Sequence, residues 1–149
     1  MEALLLIGIQ GAGKSTFFRH RFFDTHQRIN RDMLRTKARE NALIETCLNS
    51  KIRFVLDNTS PTRSVRVPFI ARAKNAGFRV YAFYFEPDFA GSRARNVGRS
   101  EMARVPVAAI GGTLRTLQRP SLDEGFDGIF SVWNHNEFGF EVRQWEDEI

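Results

Sequence analysis

Residues 8–15 of this chain, Gly-Ile-Gln-Gly-Ala-Gly-Lys-Ser, match the phosphate-binding pattern G-x-x-x-x-G-K-[ST]. Glycines let the backbone fold around a phosphate, and the N–H groups of such a loop form an anion-binding nest. We expect Lys14 to reach the β- and γ-phosphates of ATP or another nucleoside triphosphate, and the Ser15 hydroxyl to bind its Mg²⁺ ion. The predicted nucleotide-binding residues of this segment are Gly8, Gln10, Gly11, Ala12, Gly13, Lys14, Ser15 and Thr16.

Residues 30–35, Asn-Arg-Asp-Met-Leu-Arg, could serve the acceptor of a phosphoryl transfer. Such a reaction needs a group that orients or deprotonates the acceptor, and cations that meet the transferred phosphoryl group. Asp32 could accept the proton of an attacking hydroxyl, and Arg35, three residues further on, is expected on the same helix face. The pattern is equally compatible with Asp32 as a helix cap and Arg35 as a surface charge.

Asp57 directly follows an apolar run and begins the sequence Asp-Asn-Thr at residues 57–59. A carboxylate in this position commonly joins the Mg²⁺ shell of phosphate-loop enzymes. The pattern therefore predicts Asp57 as a metal ligand beside Ser15, although a plain turn before a helix would have the same composition.

A further cluster contains three arginines, Arg93, Arg95 and Arg99. Arg95 and Arg99 are four residues apart, so a continuous helix would place them on one face. From that face they could close over the phosphates of bound ATP as a lid. An exposed basic helix is the alternative interpretation.

The elements that must position these residues alternate between strands and helices. Short apolar runs predict strands at residues 3–7, 28–29, 53–56, 79–85 and 129–133. Helices are expected at residues 14–23, 32–48, 61–76, 90–99 and 107–118. Ser60 is expected to cap the helix that begins at Pro61, and Gly77 to end it in a left-handed conformation. The alternation predicts an α/β domain with a parallel sheet covered by helices on both faces. Together with the phosphate-binding pattern at residues 8–15, it predicts a fold of the P-loop NTPase type.

The charge of the chain is uneven along its length. Its 22 Lys and Arg residues, of which 18 are Arg, outnumber 17 Asp and Glu residues, for a net charge of +5. Residues 1–134, the predicted P-loop domain, carry 21 of the bases and 12 of the acids, or +9. Residues 135–149 form an acidic segment that we expect to be an edge strand or a frayed end. A solvated basic surface would explain the excess, but the planar fork of arginine also suits a phosphate-rich substrate.

Length and composition exclude several classes of protein. A chain of 149 residues with 42% hydrophobic content can bury one core without disulfides or a structural metal. The single cysteine, Cys47, allows neither an internal disulfide nor a cysteine zinc cluster, so a cytoplasmic location is expected. The apolar run at residues 3–9 is far too short to span a membrane, and we expect neither a cleavable leader nor a membrane partner.

Four segments together resemble the kinase domain of the 5′-hydroxyl polynucleotide kinases, within the P-loop kinase superfamily. They are residues 8–17, 29–35, 56–61 and 95–99, and residues 117–126 resemble the C-terminal stretch of that family. Their order and spacing hold over most of the chain. The loop alone would be generic, whereas its combination with Asn-Arg-Asp, Asp-Asn-Thr and paired arginines is much more specific.

The resemblance implies transfer of the γ-phosphate of ATP to the 5′-hydroxyl of RNA or DNA. It implies that Asp32 is the general base and that Arg35 clamps a phosphate of the acceptor strand. The other roles it implies are triphosphate and metal binding by Lys14 and Ser15, support of the metal by Asp57, and contacts to the donor phosphates by Arg95 and Arg99. Family members often carry proline in place of Gln10. They are often fused to a phosphatase or ligase domain, so this chain could act alone, depend on separate phosphatase or ligase proteins as partners, or act on another acceptor.

Two other functions would use some of the same residues. A small-molecule kinase acting on a sugar or a nucleoside would also need the loop, a base and arginines near the phosphates. A nucleotide-dependent switch would need the loop but not the carboxylate of Asp32. Preference for monomeric acceptors would favour the first alternative, and function without Asp32 would favour the second.

The net charge of +9 on residues 1–134 predicts that the affinity for an oligonucleotide falls steeply as the salt concentration rises. Each phosphate contact releases counterions, so the slope of log affinity against log salt grows by about 0.7 per contact for a single strand. Fluorescence anisotropy with a labelled 5′-hydroxyl oligonucleotide in increasing NaCl measures this slope. An affinity that does not change with salt would contradict a polyanionic acceptor.

Overall fold

The apolar run near the amino terminus forms the central strand of the sheet. In the computed structural model, which describes residues 1–145, this strand is β1 (Glu2–Ile7), and its side chains from Ala3 onward are buried. The other strands are β2 (Gln27–Ile29), β3 (Phe54–Asp57), β4 (Arg79–Phe85), β5 (Gly128–Asn134) and β6 (Phe140–Gln144). Their order across the sheet is β2-β3-β1-β4-β5-β6. The first five strands are parallel, and β6 pairs antiparallel with β5 at the edge.

Helices cover both faces of this sheet. They are α1 (Lys14–Arg21), α2 (Arg31–Leu34), α3 (Lys37–Ser50), α4 (Arg63–Asn75), α5 (Phe89–Val97) and α6 (Val107–Thr116). Successive side chains of a strand point to opposite faces. Accordingly, Leu5 and Ile7 pack with buried residues of α3 and α4, whereas Leu4 and Leu6 pack with buried residues of α1 and α6. The predicted α/β fold is confirmed, with the addition of one antiparallel edge strand.

The structure has two helices, α2 and α3, where the sequence predicted one continuous helix at residues 32–48, so that prediction was wrong. Helix α2 ends at Leu34, and Arg35 follows with φ of 76°. The Thr36 side chain then caps α3 by accepting a hydrogen bond from the Arg39 amide. This local cap favours a new helix over continuation of the old one. Asp32 and Arg35 therefore do not share a helix face.

Two other helix ends differ from the sequence-based expectation. Helix α5 ends at Val97 and Gly98 follows it, so Arg95 and Arg99 do not lie on one helix face as predicted. Helix α4 begins at Arg63 with Thr62 as its N-cap, and Ser60 is instead a buried residue with φ of 43°. The positive φ turns the chain before α4 starts, which is why Ser60 is not the cap.

The remaining ends agree with the structure within a few residues, including Gly77, which follows α4 with φ of 87°. The acidic segment 135–149 contributes β6 to the sheet. Its last residues, 146–149, lie outside the described residues, so a frayed end stays a prediction. No helix within residues 1–145 is long and apolar enough to cross a membrane.

A buried ion pair attaches α4 to the rest of the fold. The Arg66 side chain is fully buried; its Nε donates to Glu124 Oε1 at 2.8 Å, and a terminal nitrogen donates to Glu124 Oε2 at 3.2 Å. Its other terminal nitrogen donates to the carbonyl oxygen of Ser60 at 3.1 Å. Glu124 Oε2 also accepts from the Ser121 amide at 2.8 Å. The pair thus fixes the chain just beyond residues 57–59.

We expect Arg66→Met to lower the free energy of unfolding by about 3–5 kcal/mol, because it leaves the Glu124 carboxylate buried without a counter-charge. Urea unfolding followed by circular dichroism measures this change. Adding Glu124→Gln, which removes the charge but keeps an acceptor for Ser121, should restore part of the loss.

The matched control is Arg63→Met, which removes the ion pair between Arg63 and Asp123, whose side chains are 49% and 67% exposed. Exposed pairs contribute little, so this variant should unfold at nearly the wild-type urea concentration. Equal losses in Arg66→Met and Arg63→Met would contradict a special role for the buried pair.

Candidate active site

The glycine loop leaves the sheet at the carboxyl end of β1, where the chain has neighbouring strands on both sides. β3 pairs with one edge of β1 and β4 with the other, so the connections diverge at this point. Open α/β sheets bind ligands at such a point. The Gly8 amide donates to the carbonyl oxygen of Thr59 at 3.1 Å. This bond holds the Asp-Asn-Thr segment beside the loop.

Two glycines of the loop are required by its geometry. Gly11 and Gly13 have φ of 79° and 99°, a region that favours glycine. A Cβ atom on Gly11 would lie 2.4 Å from the carbonyl oxygen of Ser92, and one on Gly13 would lie 2.5 Å from Asn134 Nδ2. The loop therefore packs against α5 and the end of β5 with no room for larger residues.

Lys14 lies buried within the loop that contains it. Its Nζ donates to the carbonyl oxygens of Gly8 at 2.9 Å and Ile9 at 2.8 Å. Burial lowers the pKa of Lys14 to about 8, with a further lowering by Arg99, while Asp57 and Asp32 oppose the shift. Three residues that the sequence analysis chose in separate segments thus act electrostatically on the lysine.

The two residues predicted to hold Mg²⁺ are in direct contact. Ser15 Oγ donates to Asp57 Oδ2 at 2.8 Å, and the Asp57 side chain is only 1% exposed. Arg28 bonds to both: its Nε donates to Asp57 Oδ2 at 2.8 Å and a terminal nitrogen donates to Ser15 Oγ at 2.9 Å. Carboxylate and hydroxyl oxygens are ligands that Mg²⁺ accepts, usually with substrate phosphates completing its shell. The Ser15 and Asp57 oxygens already bind the positively charged Arg28 guanidinium, so their chemistry also fits Mg²⁺.

Helix α2, which carries Asp32, is attached to the end of β3. Asn30 caps the helix by accepting from the Met33 amide at 2.9 Å, and its Nδ2 donates to the carbonyl oxygen of Asp57 at 2.6 Å. The Arg31 amide donates to Asn58 Oδ1 at 2.9 Å. These bonds leave the side chains of Asp32 and Arg35 exposed at the mouth of the site.

The two lid arginines have different surroundings. Arg95 Nε donates to the carbonyl oxygen of Gly11 at 2.6 Å, and a terminal nitrogen donates to Asn136 Oδ1 at 2.8 Å. It thereby ties the loop to the turn between β5 and β6. Burial lowers the pKa of the Arg95 guanidinium, although Asp88 partly offsets this. Arg99 lies beyond the end of α5, partly buried, and its charge acts on Lys14.

A cavity of about 300 Å³ adjoins the loop at the ends of β4 and β5, and the sequence analysis identified only Ala12 and Arg95 among the residues that line it. It is lined by Ala12, Phe85, Glu86, Pro87, Asp88, Arg95, Val132, Trp133, Asn134 and His135. Its size is at the lower end of the range of small-molecule sites. Trp133 and Asn134 end β5 and His135 follows it, and their position at the carboxyl end of a strand was the available signal.

Of the remaining predicted loop residues, Gln10 is partly buried and Thr16 is exposed. Gln10 Oε1 is a buried acceptor without a hydrogen-bond partner within residues 1–145. An unpaired buried acceptor costs free energy unless a donor reaches it. Ala12 is buried, and its carbonyl oxygen accepts from Asn134 Nδ2 at 2.9 Å.

Comparison with known proteins gives the following matches. Residues 4–120 match a family model described as an AAA domain. The chain is 26% identical over 135 residues to a bifunctional polynucleotide phosphatase/kinase from Schizosaccharomyces pombe. A relative from Acanthamoeba polyphaga mimivirus, named for the same two activities, is 28% identical over 138 residues. Each match covers 88% of this chain, which spans only a third, 33%, of either relative.

The structure resembles that of a gluconokinase from Sinorhizobium meliloti, with a TM-score of 0.62 at 14% identity. That match covers 91% of this chain and 83% of the other. The relatives confirm the resemblance stated from the sequence, and the solved structure confirms the fold. The chain is a P-loop, kinase-like domain with polynucleotide kinase relatives at modest identity.

The lowered pKa of Lys14 predicts a pH-dependent affinity for nucleotide. Phosphate favours the charged amine, which is present below pH 8 and lost as the pH rises through the pKa of about 8. From about pH 7 to about pH 9, the affinity for a fluorescent ATP analogue, measured without divalent metal, should fall about tenfold. Lys14→Met should bind more weakly with no such decline. An equal decline in Lys14→Met would assign the titration to another group.

Proposed function

The chain belongs to the AAA domain family, and from that premise we propose that it is an ATP-dependent kinase that phosphorylates the 5′-hydroxyl of a polynucleotide. The observation that carries this proposal is the attachment of α2, which bears the exposed Asp32 carboxylate, to the end of β3, where Asp57 contacts Ser15 of the phosphate loop. An acceptor hydroxyl bound at Asp32 would therefore lie at the same edge of the sheet as phosphates bound by the loop. Donor and acceptor sites that adjoin in this way are what phosphoryl transfer requires.

In this proposal the donor triphosphate occupies the loop between β1 and α1. Lys14 uses two of its three N–H donors on loop carbonyls, and the third is available to a phosphate oxygen. Ser15 and Asp57 hold Mg²⁺, which neutralises charge on the phosphates when it is bound. The nucleobase enters the cavity beside Trp133 and His135.

On the acceptor side, Asp32 orients the 5′-hydroxyl and accepts its proton as the new bond forms. Arg99 stabilises negative charge that develops on the transferred phosphoryl group, since its positive charge also acts on Lys14 of the phosphate loop. Arg35 contacts the phosphate of the acceptor strand from the end of α2. Because the transition state is loose, positioning and charge stabilisation supply most of the rate enhancement.

The surface around Asp32 supports a polyanionic acceptor. Residues 31–39 contain the exposed cations Arg31, Arg35, Lys37 and Arg39, with Asp32 as the single acidic residue. Phosphate contacts of this kind dominate the affinity of proteins for nucleic acids. The names of the two curated relatives point to the same substrate class, and the region they share with this chain would be their kinase portion.

Label transfer from γ-labelled ATP with Mg²⁺ tests the proposal. The acceptors are 5′-hydroxyl RNA, 5′-hydroxyl DNA, the same oligonucleotides with a 5′-phosphate, and a mixture of sugars and nucleosides. We expect label on the 5′-hydroxyl oligonucleotides only. Asp32→Asn should reduce the rate by about 10²–10⁴-fold, because it removes the general base.

The matched control is Asp24→Asn, an exposed carboxylate that precedes β2 at the opposite end of the sheet. This variant should transfer label at the wild-type rate. Label on sugars or nucleosides alone would replace the proposal with a small-molecule kinase. ATP binding without transfer to any acceptor would favour a nucleotide-dependent switch.

A further inference from the structure

Arg28 occupies an unusual place among the residues of the phosphate site. Its guanidinium group bonds to Asp57 Oδ2 through Nε at 2.8 Å and to Ser15 Oγ through a terminal nitrogen at 2.9 Å. The fork of the guanidinium thus spans both oxygens that are expected to hold the metal ion. Neither the loop pattern nor the family resemblance assigns a role to Arg28.

These contacts mean that the Arg28 guanidinium would compete with a divalent metal ion for the oxygens of Ser15 and Asp57. The Asp57 carboxylate oxygen already accepts from both Ser15 and Arg28, and its side chain is 1% exposed. A divalent ion bound by the same oxygens would lie within a few ångströms of the guanidinium charge. At a part-buried site this repulsion is only weakly screened by salt.

The same side chain also reaches the acceptor region. A terminal nitrogen of Arg28 lies 3.9 Å from Sδ of Met33, which neighbours Asp32 in α2. Arg28 itself lies in β2, and the Asn30 cap of α2 follows two residues later. One guanidinium group therefore touches both the expected metal ligands and the helix that carries the expected base.

We propose that Arg28 is a built-in competitor of the divalent metal at Ser15 and Asp57, and that it lowers the affinity of the nucleotide-bound protein for that metal. Metal binding then requires the guanidinium to leave Asp57, which also alters its contact with Met33 in α2. Metal loading is in this way coupled to the acceptor helix. The inference rests on the metal and nucleotide part of the proposed function and is independent of the acceptor.

The test measures metal binding directly, with Mn²⁺ as the probe. The electron paramagnetic resonance signal of free Mn²⁺ is titrated with the full chain, saturated with a non-hydrolysable ATP analogue. Arg28→Gln retains a hydrogen-bonding side chain but removes the charge, and we expect it to lower the dissociation constant for Mn²⁺ about tenfold. Arg28→Lys keeps the charge but lacks the fork that spans two oxygens, and it should give a smaller decrease.

Two controls make the result specific. Arg53→Gln removes the same charge from the residue before β3, at the opposite end of the sheet, and should leave the dissociation constant unchanged. In the Asp57→Asn background, Arg28→Gln should have no further effect, because the carboxylate for which the two cations compete is absent. Circular dichroism melting of each variant verifies that it is folded.

An unchanged or larger dissociation constant in both folded Arg28→Gln and folded Arg28→Lys would overturn the proposal, because Arg28 would then not compete with the metal ion. Mn²⁺ binding that does not depend on Asp57 in any variant would overturn it as well, since the ligand pair would be wrong. Neither result depends on label transfer to 5′-hydroxyl ends. Failure of the acceptor assignment can therefore be distinguished from failure of this inference.

Discussion

The position of β1 between two parallel neighbours determines where everything else in the site can lie. Because β3 and β4 run in the same direction as β1, their carboxyl ends meet at one edge of the sheet. The loop after β1, the Asp-Asn-Thr segment after β3 and the cavity after β4 and β5 consequently share that edge. The hydrogen bond from the Gly8 amide to Thr59 then holds two of these segments at a fixed separation. Helices on both faces exclude water from the strands but leave this edge open.

Buried charge at this edge is compensated by specific partners. Asp57 is paired with Arg28, and Lys14 is bonded to two carbonyl oxygens while the nearby carboxylates partly offset the cost of its burial. The pair formed by Arg66 and Glu124 plays the corresponding role beneath the chain that follows Asp57. Charges removed from water in this manner are stable only while each keeps its partner. A ligand that changes one of the pairs at the site therefore alters the balance for its neighbours.

The sequence was sufficient to predict the strands and to select Ser15 and Asp57, which are in contact, but not the way in which these segments are held. Strands that are buried on both faces appear in the sequence as continuous apolar segments, so β1, β3 and β4 could be predicted. The division between α2 and α3 depends on the Thr36 cap and the positive φ of Arg35, which compete with a helical pattern that looks unbroken. The pairing of Arg66 with Glu124 joins residues 58 positions apart, and that of Arg28 with Asp57 joins residues 29 apart. Ion-pair partners this far apart in the sequence can be identified only when the order of the strands in the sheet is known. Arg99 lies beyond the end of α5, so the helical spacing used to select it was incorrect.

Helix α2 has only four residues, and none of its side chains is buried. It is bounded by the Asn30 cap and by the turn at Arg35, and two hydrogen bonds attach it to the end of β3. Its exposed side chains can consequently change during evolution with little effect on the hydrophobic core or on the phosphate loop. Because the proposed function places the acceptor at α2, selection for a new acceptor and selection for a stable fold would act on different parts of this chain. A fold with this separation can give rise to kinases of diverse acceptors while its nucleotide-binding half changes little.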